Sequence, residues 1–138
     1  MDLIRIGFLL GSLLGMFQSG CGQDEQPVPT HLLFGSIVST TIEASGSWAY
    51  VELIASGGQG DSVSYSTSCQ ISGPACRYQL NFVEEGRYTV LAFIDMNDSA
   101  QPAALGPDSG DLTAQARPLI LWDRTEMNFE DDLWRAVR

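Results

Sequence analysis

From residue 31 onward apolar and polar side chains alternate with a period of two, and no long stretch repeats every 3.6 residues. Tyr78, Leu80 and Phe82 alternate with Arg77, Gln79 and Asn81, and Ala49, Val51 and Leu53 alternate with Tyr50 and Glu52. Alternation of this kind predicts strands with one face in a core and one in water. Residues 87–95 (RYTVLAFID) are apolar on both faces over most of their length, which predicts a central strand covered on both sides. Further strands are expected at 32–38, 62–66, 119–122 and 126–129. Turn-forming clusters separate them at 44–47, 57–61, 73–74 and 84–86. Residues 130–137 are the one helical candidate, of about two turns. The expected fold is all-β, a single antiparallel β-sandwich of about seven strands around one core, occupying residues 31–138.

Ahead of the strands the pattern changes. Residues 6–17 (IGFLLGSLLGMF) carry no charge, yet the run is shorter than the roughly 20 apolar residues that a spanning helix needs. It reads as the apolar centre of a secretory signal peptide. Gln18-Ser19-Gly20-Cys21 follows and resembles the lipobox of bacterial lipoproteins, where small residues precede a cysteine that receives lipid and becomes the mature N-terminus. Ser19, Gly20 and Cys21 match that pattern; Gln18 departs from its usual apolar residue. The resemblance implies a signal peptide at 1–20 and lipid on Cys21, a diacylglyceryl thioether with an N-acyl chain such as palmitate. Two or more such chains hold a protein stably to a lipid bilayer where one does not. An unmodified secreted chain and an uncleaved anchor are the alternatives. Residues 21–30 continue as a polar segment with two prolines and read as a flexible tether. Gly22, rather than aspartate, follows the cysteine, so the implied address is the bacterial cell envelope, at the outer membrane and facing periplasm or surface.

Charge and the scarce residue types then narrow the function. The 138 residues hold 7 basic and 17 acidic side chains, a net charge of −10. Every base is an arginine and none cluster, so a phosphate backbone finds no footprint and nucleic acid is not an expected partner. His31 is the only histidine and is expected to be solvated beside the tether. Glu84 and Glu85 are adjacent, which would send them to opposite faces of a strand, so a turn explains them better than an acid and base pair. The serines at 62–68 have no Gly-x-Ser-x-Gly context. No catalytic residue is assigned, and the chain is expected not to be an enzyme. Cys69 and Cys76 flank Gly73-Pro74 and can pair across a turn; no second Cys or His pair completes a metal site, and an exported compartment is oxidising. A structural disulfide is expected.

Gly35-Ser36-Ile37-Val38, then Gly86-Arg87-Tyr88-Thr89-Val90 running into Ala92-Phe93-Ile94-Asp95, and the late Glu126-Met127-Asn128-Phe129, resemble prealbumin-like sandwiches of bacterial envelope proteins. These include carboxypeptidase-regulatory-like and transthyretin-like domains. Some members bind calcium in an acidic loop after the strand that ends here at Asp95. Asp95, Asn97, Asp98, Asp108 and Asp111 would supply much of the set of six to eight oxygens that calcium takes. The competing reading is a solvated surface loop, with Ser99-Ala100 in place of Asn-Gly. Trp48 and Tyr50 share the strand face opposite Ala49, Val51 and Leu53, so they form a candidate ligand platform unless they close the sandwich edge. Trp122 and Trp134 are further aromatic candidates. The expectation is a membrane-tethered, non-catalytic binding or assembly module whose partner is an envelope protein or a small ligand. A carbohydrate-binding accessory module and a calcium-stabilised structural domain are the alternatives.

Overall fold

Eight strands form in the computed structural model, which describes residues 29–56, 64–101 and 105–138. They are β1 (Thr30–Val38), β2 (Trp48–Ala55), β3 (Ser64–Gln70), β4 (Ala75–Glu84), β5 (Gly86–Asp95), β6 (Leu112–Leu121), β7 (Thr125–Glu126) and β8 (Trp134–Ala136). The expected signal peptide, Cys21 and most of the tether lie outside the described residues, as do the turn expected at 57–61 and the start of the strand expected at 62–66. The strands build two packed sheets in the orders β4-β1-β7 and β3-β2-β5-β6-β8. Every pairing is antiparallel except β1 with β7. The molecule is an all-β sandwich.

The period-two pattern explains the core. Ala49, Val51 and Leu53 of β2 lie fully buried beside Val90, Ala92 and Ile94 of β5, and across the sandwich they meet Leu33 and Ile37 of β1. Each buried Val, Leu or Ile among them contributes about 1.5–3 kcal/mol. β5 lies mid-sheet, and its run from Ala92 to Asp95 is buried without a break. Phe93 belongs to the outer face, stacked against Tyr50 with ring centroids 5.0 Å apart. The covered central strand read from the apolar run is present.

The disulfide joins Cys69 of β3 to Cys76 of β4, with Cα atoms 5.9 Å apart. Because β3 and β4 belong to different sheets, the bond ties the two layers together at one corner. Tyr88, in the Gly-x-Tyr stretch, turns its hydroxyl back to donate to the Glu84 carbonyl at 2.8 Å, closing the turn that feeds β5.

Three expectations need correction. Phe82 is not a core residue: it is 79% exposed, because β4 carries one extra residue against β1 between Leu80 and Val83. That bulge reverses the alternation, and Val83 takes the buried place instead. Residues 130–137 do not form two helical turns. They make a 3-10 turn at Asp131–Leu133 and then β8, because Trp134 packs its ring against Phe129 and donates its indole N–H to the Val38 carbonyl at 2.6 Å. The strand after Asp111 spans Leu112–Leu121 rather than 119–122, with Pro118 inside it. β8 pairs only with 112–114, so β6 is an edge at Pro118 and no partner needs its missing N–H.

Strand direction gives the sandwich two distinct ends. Thr30 pairs with Glu84 and Gly86 with Leu121, so the start of β1, the 84–86 turn and Trp122 share one end. Trp48 pairs with Gln70 on one side and Asp95 on the other, which puts those residues and the 96–111 connection at the opposite end.

Candidate functional site

At the end remote from Thr30, the close of β5 and the start of β6 are joined by a loop that folds on its own carboxylates. Asp95 and Asp111 are buried although both are acidic. A buried carboxylate must be met by donors, and here backbone N–H groups meet it. One Asp95 oxygen accepts from Asn97 and Ser99 at 3.3 and 3.1 Å, and the other from Ala100 at 2.9 Å. Asp111 accepts from the N–H of Met96 on one oxygen and of Asp108 on the other, each at 3.0 Å. Asp108 accepts from Ser99 Oγ at 2.6 Å and Asn97 Nδ2 at 2.8 Å. Those two hydrogen bonds, the Ser99 one first, hold the Asp108 carboxyl below its ordinary value.

The structure thus brings Asp95, Asn97, Asp108 and Asp111 together, as the resemblance implies, and their hydrogen bonds close the loop. Both oxygens of each of the three aspartates are spent on donors. Asp98 stands apart on the exposed rim, its backbone left-handed at φ 58°. Among the described residues no group of three or more His, Cys, Asp or Glu side chains is placed to hold a metal ion.

The loop borders a groove of about 600 Å³. Its floor and walls come from Ser45–Trp48, Gln70 and Asp95–Asp98, the ends of three neighbouring strands and the turn before β2. Trp48, 42% exposed, lines it. Gln70 Nε2 reaches across to the Gly46 carbonyl at 2.9 Å and fixes that turn. Tyr50 sits one step further along the same face, half-buried, with one side of its ring taken by Phe93. Partial burial first, and then the charges of Asp95 and Asp98, push its phenol above the ordinary value, so it stays a donor. Trp48 and Tyr50 therefore share a face as expected, but Trp48 carries the free aromatic surface. β2 lies between β3 and β5, so Trp48 does not close a sheet edge.

A cleft of about 290 Å³ lined by Ser39, Thr40, Thr41, Ser45, Gly73 and Pro74 adjoins the groove at Ser45. Ser39 Oγ is buried there without a hydrogen-bond partner among the described residues. Thr40 beside it donates its N–H and hydroxyl to the two oxygens of Asp131, at 2.7 and 2.6 Å. No sequence motif marks this hydroxyl cleft, since serine and threonine between strands read as ordinary loop composition. The remaining aromatic candidates separate: Trp134 is buried between the sheets, and Trp122 is exposed at the far end. No family model, curated protein or solved structure matches this chain.

Proposed function

We propose that the chain is a bacterial envelope lipoprotein of prealbumin-like type, a non-catalytic binding module held to a lipid bilayer through Cys21. It presents the groove beside Trp48 to a partner on the side away from the membrane. The observation that supports this is direction: β1 begins at one end of the sandwich, and the groove lies at the other. A tether entering at Thr30 therefore leaves the groove pointing outward.

Within this reading the groove's chemistry favours a glycan over an apolar peptide. One indole face lies among the amides of Gln70 and Asn97 and the carboxylate of Asp98, and the hydroxyl cleft continues from it. A sugar offers C–H faces to the ring and hydroxyls to the polar groups. Calcium has no role in this reading, so thermal unfolding curves in excess calcium and in chelator should superimpose.

Two substitutions test the two halves separately. Cys21→Ser should move the protein from the membrane to the soluble fraction, and undiminished membrane retention would refute the anchor. Trp48→Ala should abolish binding to envelope polysaccharides while leaving the melting temperature nearly unchanged; binding that survives it places the ligand elsewhere.

A further inference from the structure

The end of the sandwich where the tether enters carries the most exposed aromatic side chains of the described residues. Phe82 is 79% exposed and Trp122 70%, and Ile120 beside Trp122 is half exposed. Phe82 and the two residues after Trp122, Asp123 and Arg124, line one shallow depression together with Thr30, His31 and Leu32. The aromatic pair thus brackets the point at which the chain leaves for Cys21.

Phe82 is the more telling of the two. It holds the bulge position of β4 with a left-handed backbone, φ 59°, a conformation that glycine adopts freely and that is an outlier for a bulky residue. The bulge turns the ring out of the core, so an aromatic stands where both backbone and solvation argue against it. Strain of this kind persists where the position is used.

The geometry points to this end of the domain as a membrane-contacting face, with Phe82 and Trp122 set in the interfacial layer of the bilayer to which Cys21 is anchored. The inference rests on the lipid anchor proposed above and adds an orientation to it. Residues 21–30 reach at most about 35 Å even when fully extended, close to the length of one ten-residue strand. A tether of that reach keeps the end bearing Thr30 within one strand length of the lipid surface and lets it settle onto it. Aromatic side chains concentrate at that depth, where the ring is apolar and the indole N–H remains wet. Arg124, its guanidinium 4.6 Å over the Phe34 ring, lies beside them within reach of lipid phosphate.

Tryptophan fluorescence reads this directly. The protein carrying Trp48→Phe, purified with its lipid, is reconstituted into phosphatidylcholine–phosphatidylethanolamine vesicles whose acyl chains are brominated near the headgroup. Trp134 is buried, so Trp122 reports. We expect quenching and a blue shift relative to unbrominated vesicles, lost with Trp122→Phe and reduced with Phe82→Ser. A protein that stays on the vesicles with Trp122 unquenched overturns the orientation while leaving the anchor intact. If mass spectrometry finds Cys21 unmodified, the anchor reading fails instead. The chain is then coupled through Cys21 to a maleimide lipid: quenching there sustains the membrane face, and its absence overturns it. A Cys21→Ser chain that sediments as a dimer, and as a monomer once Phe82 and Trp122 are both serine, overturns it in favour of a second copy of the chain.

Discussion

Gly35 sits in the middle of β1 directly under the segment that follows β7, and replacing it with alanine tests how the three-stranded sheet is closed. A Cβ there would overlap the Met127 carbonyl oxygen, stand 2.8 Å from its carbon and press within 3.1 Å of the Tyr78 ring. The obstacle is backbone, so the segment must move as a unit. That segment is zipped to β1 by Met127 N–H to Phe34 O at 2.9 Å, Phe129 N–H to Ser36 O at 2.9 Å and Val38 N–H to Phe129 O at 2.8 Å. The Tyr78 hydroxyl adds a bond to the same Met127 carbonyl at 2.6 Å. Overpacking costs about 1–3 kcal/mol, and loosening two of these bonds adds about 1 kcal/mol each, so Gly35→Ala should destabilise by roughly 3–5 kcal/mol. For a domain of this size that lowers the melting temperature by about 12–20 °C. In open space the same change would stabilise by about 0.4–1 kcal/mol through the unfolded chain, so the sign alone decides. Urea and thermal denaturation of the purified protein measure it. A variant as stable as the parent, or more so, would refute the close approach.

Other outcomes follow from the same geometry. Replacing Cys69 and Cys76 with alanine opens a short loop that links the two sheets and should cost about 2.5 kcal/mol in urea denaturation, with reduction of the parent giving a matching loss. Phe82→Gly relieves a left-handed backbone worth about 1–2 kcal/mol in a bulky residue, so its melting temperature should rise, even as the proposed membrane contact weakens. Asp131 is held below its ordinary value of 3.8, chiefly by the Thr40 hydroxyl and then by the Thr40 N–H. A depressed carboxyl stabilises fully above its unfolded value, and the contribution disappears as pH falls through the folded one. Melting temperatures measured across that acid range should therefore fall less steeply for Asp131→Asn than for the parent.

The legible part of the fold is the part governed by one local rule. Ala49, Val51 and Leu53 alternate without interruption, and β2 runs straight enough for all three to reach the core. Tyr78 and Leu80 obey the same rule, but it stops at the bulge, and nothing in the string Asn81-Phe82-Val83 announces an inserted residue. Residues 130–137 have no internal conflict with a helix; the buried seat for Trp134 between Phe129 and Val38 exists only once distant strands have assembled. The carboxylates around Asp95 and Asp111 were visible as a cluster, whereas their pairing with backbone N–H groups depends on how the loop turns. Trp48 stood out by composition. The Ser39 cleft beside it does not, because its hydroxyls come from residues ordinary in any connection between strands.

The ties between the last ten residues and the end of β1 also bear on when the domain can exist. Val38 and Thr40 wait for Trp134 and Asp131, more than ninety positions later, before they are bonded, and Ser36 likewise waits for Asn128. A growing polypeptide that lacks its final segment has one side of its first strand open and cannot close the sandwich. Contacts so distant in sequence also form slowly. Until residues 128–134 are present the sandwich stays open, which is what the proposed export would require of a chain that crosses a membrane unfolded.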